Sequence, residues 1–376
     1  MHLDRRRWLK LLGLTIGNLG LSRIRQAQGS SSTTEAGAVM HRVRLSLNEN
    51  PYGPSPAVAA ALQRESQNLC RYTGAEYIGL VTAIATHENV SVDQIILGEI
   101  LEPLGTYLSL KGGPGGEFIY SDPGYTALID SAVAVGGRAV GIPLNGQMEN
   151  DLPAASAKVS DLTRAVFLVN PHNPTGIVSD PVALKTFARE TSRRALVIVD
   201  EAYLEFADRF AERTLADLVR TGENVIVFRT FAKVYGLAGL DIGYGLMPKI
   251  IAKTLDAQGL TNPHLFNRLA VAAATASLQH SSYVAEVVRQ VTREREKWCD
   301  FLRDMKLQFT PSRGNFVFFE TGMPNAQFAA ALLRDGIEIG RAFPPYDRWA
   351  RISIGLPEEN AIARAAVRKS LRASYS

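Results

Sequence analysis

Hydrophobic and polar positions alternate along the chain in a repeating order. A stretch with helical spacing at residues 56–68, behind a proline-rich entry, precedes short apolar runs at 94–97 and, after the glycine-rich turn 112–116, at 117–120. Further runs at 139–142, 165–169, 195–199 and 225–228 are of strand length and rich in β-branched or aromatic residues. Between them, 126–135, 181–190 and 214–221 carry helical spacing. Strand, helix and strand in repetition predict an α/β fold, a mostly parallel sheet covered by helices on both faces. Past residue 248 the texture changes to long helices over about 269–305, strands at 315–320 and 351–354, and a closing helix over 358–373. This predicts a smaller α+β C-terminal domain. The chain divides into a leader and linker (1–35), an N-terminal arm (36–56), a large domain (57–255) and a small domain (256–376).

With 376 residues, 46% hydrophobic, 21% charged and a mean hydropathy of −0.02, the composition excludes a disordered chain and a disulfide-stapled miniprotein. The net charge of +4 is not spread over the chain. Six of the 41 Lys and Arg residues but one of the 37 acids lie in residues 1–29, so the body is close to neutral. No basic stripe with interleaved aromatics remains to suggest a nucleic-acid partner. The leader runs Asp4-Arg5-Arg6-Arg7-Trp8-Leu9-Lys10 into a mildly apolar stretch, 11–21, too short to cross a bilayer comfortably. It resembles a twin-arginine export signal, which implies an exported, periplasmic protein without membrane attachment after export. Ser30-Ser31-Ser32-Thr33-Thr34 reads as a flexible linker. Cys70 and Cys299 read as buried small apolar residues, and no histidine or cysteine spacing suggests a metal site.

In parallel sheets, function gathers at the loops leaving the carboxyl ends of the strands. Three such loops carry chemistry. The run ending at Val169 enters Asn170-Pro171-His172-Asn173-Pro174-Thr175-Gly176, the run ending at Val199 enters Asp200-Glu201-Ala202-Tyr203, and Phe228 leads to Arg229-Thr230-Phe231-Ala232-Lys233 before a glycine-rich segment. A turn, a helix cap and a surface lysine would explain each alone.

Together, and in this order, they resemble the fold-type-I pyridoxal-phosphate enzymes, and among these the histidinol-phosphate aminotransferase group. Leu45-Ser46-Leu47-Asn48-Glu49-Asn50-Pro51-Tyr52-Gly53-Pro54, Asp122-Pro123-Gly124-Tyr125 and Arg351-Ile352-Ser353-Ile354-Gly355 extend the similarity over about residues 42–370. The resemblance implies pyridoxal 5'-phosphate as cofactor and assigns roles. Lys233 would form the Schiff base and move the proton between substrate and cofactor. Asp200 would pair with the pyridine nitrogen, Asn173 and Tyr203 with the phenolic oxygen, and Tyr125 would stack on the ring. Thr230 would donate to the phosphate. Tyr52 would reach the neighbouring subunit's phosphate, which implies a homodimer. Arg351 would fork onto the substrate α-carboxylate and Arg341 would help hold a distal anion.

The implied activity is transamination between an amino acid and a 2-oxo acid. The alternative is another reaction on the same cofactor, by a racemase, lyase, decarboxylase or oxidase. A donor with an apolar or neutral side chain is expected, and not histidinol phosphate, because the stretch 337–354 adds only Arg348 to Arg341 and Arg351. Three positions depart from the family pattern. Asp241 stands where the family carries a phosphate-gripping arginine, Leu97-Gly98-Glu99-Ile100-Leu101-Glu102-Pro103 replaces a serine-containing phosphate turn, and Ala232 replaces a serine. A substitute cation is expected, with Arg268 and Arg71 as candidates.

Overall fold

The computed structural model describes residues 43–113 and 115–372, so the leader and linker lie outside the described residues. Among the described residues eleven strands follow one another: β1 (Val43–Leu45), β2 (Ile95–Leu97), β3 (Glu117–Asp122), β4 (Arg138–Pro143), β5 (Thr163–Val169), β6 (Leu196–Asp200), β7 (Val225–Thr230), β8 (Gly243–Leu246), β9 (Phe316–Glu320), β10 (Ile337–Ile339) and β11 (Trp349–Ser353).

Seven of them form one sheet in the order β2-β8-β7-β6-β5-β3-β4, in which only β8 runs antiparallel to its neighbours. Every residue of β6 and β7 is buried, as continuous apolar runs in a doubly covered sheet require. Covering helices follow local signals. In Pro181–Thr191, Asp180 accepts from the backbone N–H groups of Val182 (3.1 Å) and Ala183 (2.9 Å), proline occupies the first turn, and Leu184, Phe187, Ala188 and Thr191 form the buried stripe.

The C-terminal part carries two small sheets, antiparallel β9–β11 and parallel β1–β10. The N-terminal arm is therefore stitched to the small lobe through β1. The helical run 269–305 is two helices, Arg268–Leu278 and Ser281–Asp304. The first packs against Pro56–Glu65 and Ala75–Glu88 and so joins the large lobe. Both cysteines are free, and Cys70, read as a buried residue, is exposed.

Candidate active site

Parallel register brings the three loops to one level. Val169 of β5 lies beside Asp200 of β6, and Asp200 beside Phe228 of β7. The strand ends open into a cavity of about 210 Å³, where Lys233, Asp200, Tyr203, Asn173, Tyr125 and Thr230 converge.

Asp200 is buried on its strand end, and the Ala202 N–H donates to its Oδ1 at 2.9 Å. Burial pushes its carboxyl up to about 7, against the pull of that N–H and of Lys233. A cationic ring nitrogen would be strongly stabilised beside it. The Lys233 amine lies 5.8 Å from the Tyr203 ring centroid and donates to the Leu47 carbonyl at 3.4 Å. Tyr203 in turn accepts from Asn48 Nδ2 at 3.2 Å.

Arg351 reaches this site from β11. Its Nη1 donates to Asn173 Oδ1 at 2.6 Å and its Nη2 to the Ser46 carbonyl at 2.7 Å. Phe343 and Phe316 flank the guanidinium at 5.1 and 5.7 Å, and its Nε is buried without a partner among the described residues. Burial lowers its pKa to about 10, so it remains a cation at neutral pH. An unpaired buried N–H on a cation is costly unless an anion meets it.

Two expected residues lie elsewhere. Tyr52, expected at the neighbouring subunit's site, does not line this cavity, and its hydroxyl is buried with no partner among the described residues. Arg341 is exposed, rests on Phe343 at 4.3 Å and donates to the Ala342 carbonyl at 3.0 Å. Thr230, expected on a phosphate, donates instead to Glu99 Oε1 at 2.9 Å. Neither candidate cation replaces the missing arginine among the lining residues. Arg268 is bound to Glu65 at 2.9 Å and Glu76 at 2.7 Å, and neither it nor Arg71 lines the cavity. Asp241 does line it.

Sequence reading missed a buried ionic cluster beneath the site. Arg229 Nη2 lies 3.0 Å from Glu201 Oε2 and 3.6 Å from Glu88 Oε2, its Nη1 is 3.8 Å from Glu205, and Tyr244 donates to Glu88 at 2.6 Å. Side chains alternate across a strand, so the residues next to Asp200 and Thr230 turn to the opposite face. That alternation was the available signal.

An open α/β sheet with its crevice at the strand carboxyl ends, a lysine facing a buried aspartate and an arginine entering from a second lobe define an enzyme of the aspartate-aminotransferase-like fold. A model of the family described as aminotransferase class I and II matches residues 41–367, and the chain belongs to that family. The histidinol-phosphate aminotransferase of Limosilactobacillus fermentum is 35% identical over 332 residues, covering 86% of this chain and 90% of its own. The structure of histidinol-phosphate aminotransferase from Sinorhizobium meliloti in complex with pyridoxal-5'-phosphate is 32% identical with a TM-score of 0.80, covering 88% of this chain and 91% of that one. Aspartate aminotransferase from Thermus thermophilus, 21% identical, shares the fold with a TM-score of 0.73 over 88% of this chain and 91% of its own.

The protein is a pyridoxal-phosphate-dependent aminotransferase that works on an amino acid and a 2-oxo acid. The residues at the ring end of the cavity fit the cofactor: a buried acid for the ring nitrogen, an amine for the aldehyde, and Asn173 and Tyr203 as polar groups beside them. The positions that the resemblance assigns to the phosphate depart from the expected chemistry, since Glu99 and Asp241 line the same cavity as carboxyls.

Proposed function

We propose that this aminotransferase is exported by the twin-arginine route and acts as a periplasmic homodimer on an amino acid with an apolar or neutral side chain. Lys233 carries the cofactor in this reading. The observation that carries it is the Arg351 guanidinium, buried between two phenylalanines with one N–H unpaired and joined to Asn173, which matches the demand of an α-carboxylate. Bound pyridoxal phosphate supplies an electron sink that eases loss of the substrate's Cα proton. Lys233 takes and returns that proton, Arg351 fixes the carboxylate so that the Cα–H faces the amine, and Asp200 holds positive charge on the ring nitrogen. Asn173 couples the two ends, since its Oδ1 is already held by Arg351. Tyr125 covers the ring. Tyr52, whose buried hydroxyl has no partner among the described residues, serves the partner's site, and Arg341 tunes Arg351 by its charge.

A donor without a phosphate fits the scarcity of cations. Arg348 is committed to the Gly322 carbonyl at 2.6 Å and lies 3.7 Å from Glu320. When amino acids with apolar, neutral and charged side chains, and histidinol phosphate, are each offered with a 2-oxo acid, apolar or neutral donors should give the fastest amino transfer by mass spectrometry. Efficient turnover of histidinol phosphate would overturn the substrate assignment. Export is read separately: residues 1–40 fused to a reporter should lose export when Arg5, Arg6 and Arg7 are all changed to lysine, and undiminished export would remove that part.

A further inference from the structure

The wall of the cavity is rich in acids. Glu99, Glu102, Asp200 and Asp241 all line the space, and Lys233 is the one cation among the described residues lining it. Asp241 caps the turn Ala238–Leu240 in the left-handed conformation, φ 48°, which sets its side chain at the wall. Glu99 is held in place from two sides. The Thr230 hydroxyl donates to its Oε1 at 2.9 Å, and Gly243 leaves it room, since a Cβ there would stand 2.9 Å from the same oxygen and 2.7 Å from the Arg229 carbonyl. The donor capacity of Thr230 is spent on this carboxyl, while its own oxygen accepts from the Ala232 N–H at 3.0 Å.

A phosphate dianion entering beside two carboxylates meets repulsion in a poorly solvated space, and the described residues lining it include no guanidinium to offset it. One proton changes the balance, because a carboxylic acid and a phosphate then form a charge-assisted O–H···O bond. Resting on the placement of the cofactor given above, we propose that Glu99 meets the cofactor phosphate as a neutral carboxylic acid. The proton is shared between the two groups, with the carboxyl O–H donating to a phosphate oxygen. Glu99 and Asp241 thereby set how strongly this enzyme prefers the phosphorylated cofactor over pyridoxal, its phosphate-free form.

The surroundings of Glu99 favour this state. Burial pushes its carboxyl up to about 7, Asp200 and Asp241 add to the rise, and Thr230 and Lys233 oppose it. Glu102, on the helix Leu101–Leu110, Tyr125 and Tyr203 are the other titratable groups at the wall. A phosphate monoester loses its second proton near a pKa of about 6, so above neutrality the complex must take up a proton that neither free partner carries.

The test is a visible-absorbance titration of cofactor-free enzyme with pyridoxal phosphate and, separately, with pyridoxal. Condensation with lysine and pairing with Asp200 are common to both ligands, so the ratio of their dissociation constants isolates the phosphate. Above the Glu99 midpoint of about 7, the preference for pyridoxal phosphate should shrink by up to about tenfold per pH unit, the slope for one linked proton. Glu99→Gln should flatten that slope, and Asp241→Arg should raise the preference by about tenfold or more. A wild-type preference that is constant or grows with pH, as a counter-cation would give, overturns the proposal. Should Glu99→Gln fail to fold, Asp241→Asn and the wild-type slope decide. Loss of the functional reading looks different: neither aldehyde would then give a visible band.

Discussion

Lys233→Ala is expected to lower kcat/KM for transamination by about 10³-fold or more, since one positioned proton-transfer group alone contributes about 10²–10⁴-fold. The amine's hydrogen bond to the Leu47 carbonyl is a long one, 3.4 Å, so the fold should survive the change. Protein incubated with pyridoxal phosphate should also lose the visible absorbance that a lysine-bound cofactor gives. Retention of both activity and colour would exclude Lys233 from the assigned role and leave the cavity without an amine, because it is the one lysine among the described lining residues.

The second large effect falls on stability. Arg229→Met removes the cation that Glu201, Glu88 and Glu205 surround within 3.8 Å and leaves buried carboxylates unpaired. Breaking one side of a buried ion cluster costs about 3–5 kcal/mol, which denaturant titration would resolve. Burial pushes the carboxyls of Glu201 and Glu205 up, Glu205 to about 7, so the lost stability is largest where they must ionise. A group with a raised folded-state pKa loses stability as pH rises through that value. The deficit of Arg229→Met should therefore shrink as pH falls from above Glu205's value of about 7 towards the ordinary carboxylate range. A deficit that is small, or independent of pH, would show that the cluster does not carry this energy.

Much of the sheet was legible because its central strands are buried on both faces and read as unbroken apolar runs, and the site residues follow those runs directly. β8 was not legible. Its Gly243-Tyr244-Gly245-Leu246 has no β-branched residue and no side chain at two of four positions, because Gly243 must let Glu99 and the Arg229 carbonyl approach and Gly245 must let Ile100 pack close. β1 and β10 are three residues each, too short to show a period. In the site, Lys233, Asp200 and Asn173 came from loops whose residue types announce chemistry. The roles of Asn48 and Ser46 in holding Tyr203 and Arg351 did not, since a carbonyl has no sequence signature and Asn48 owes its place to a left-handed backbone, φ 54°. The Arg229 cluster was hidden for another reason. Charge along a sequence does not reveal burial, and three acids around one arginine read as surface until the strands are assembled.

The pairing of β1 with β10 sets the order in which this enzyme can be completed. Ser46, whose carbonyl holds Arg351 and whose hydroxyl donates to Glu338 at 2.8 Å, leaves the ribosome 292 residues ahead of that partner. The segment 46–48 also supplies the carbonyl that meets Lys233 and the amide that holds Tyr203. Early domains of a growing chain commonly fold as they emerge. Here the opening segment must wait for the closing lobe, so synthesis of the chain runs ahead of assembly of its catalytic centre. A ribosome stalled before residue 337 would carry a central sheet with its strand-end loops in place but no strand for residues 43–45 to join.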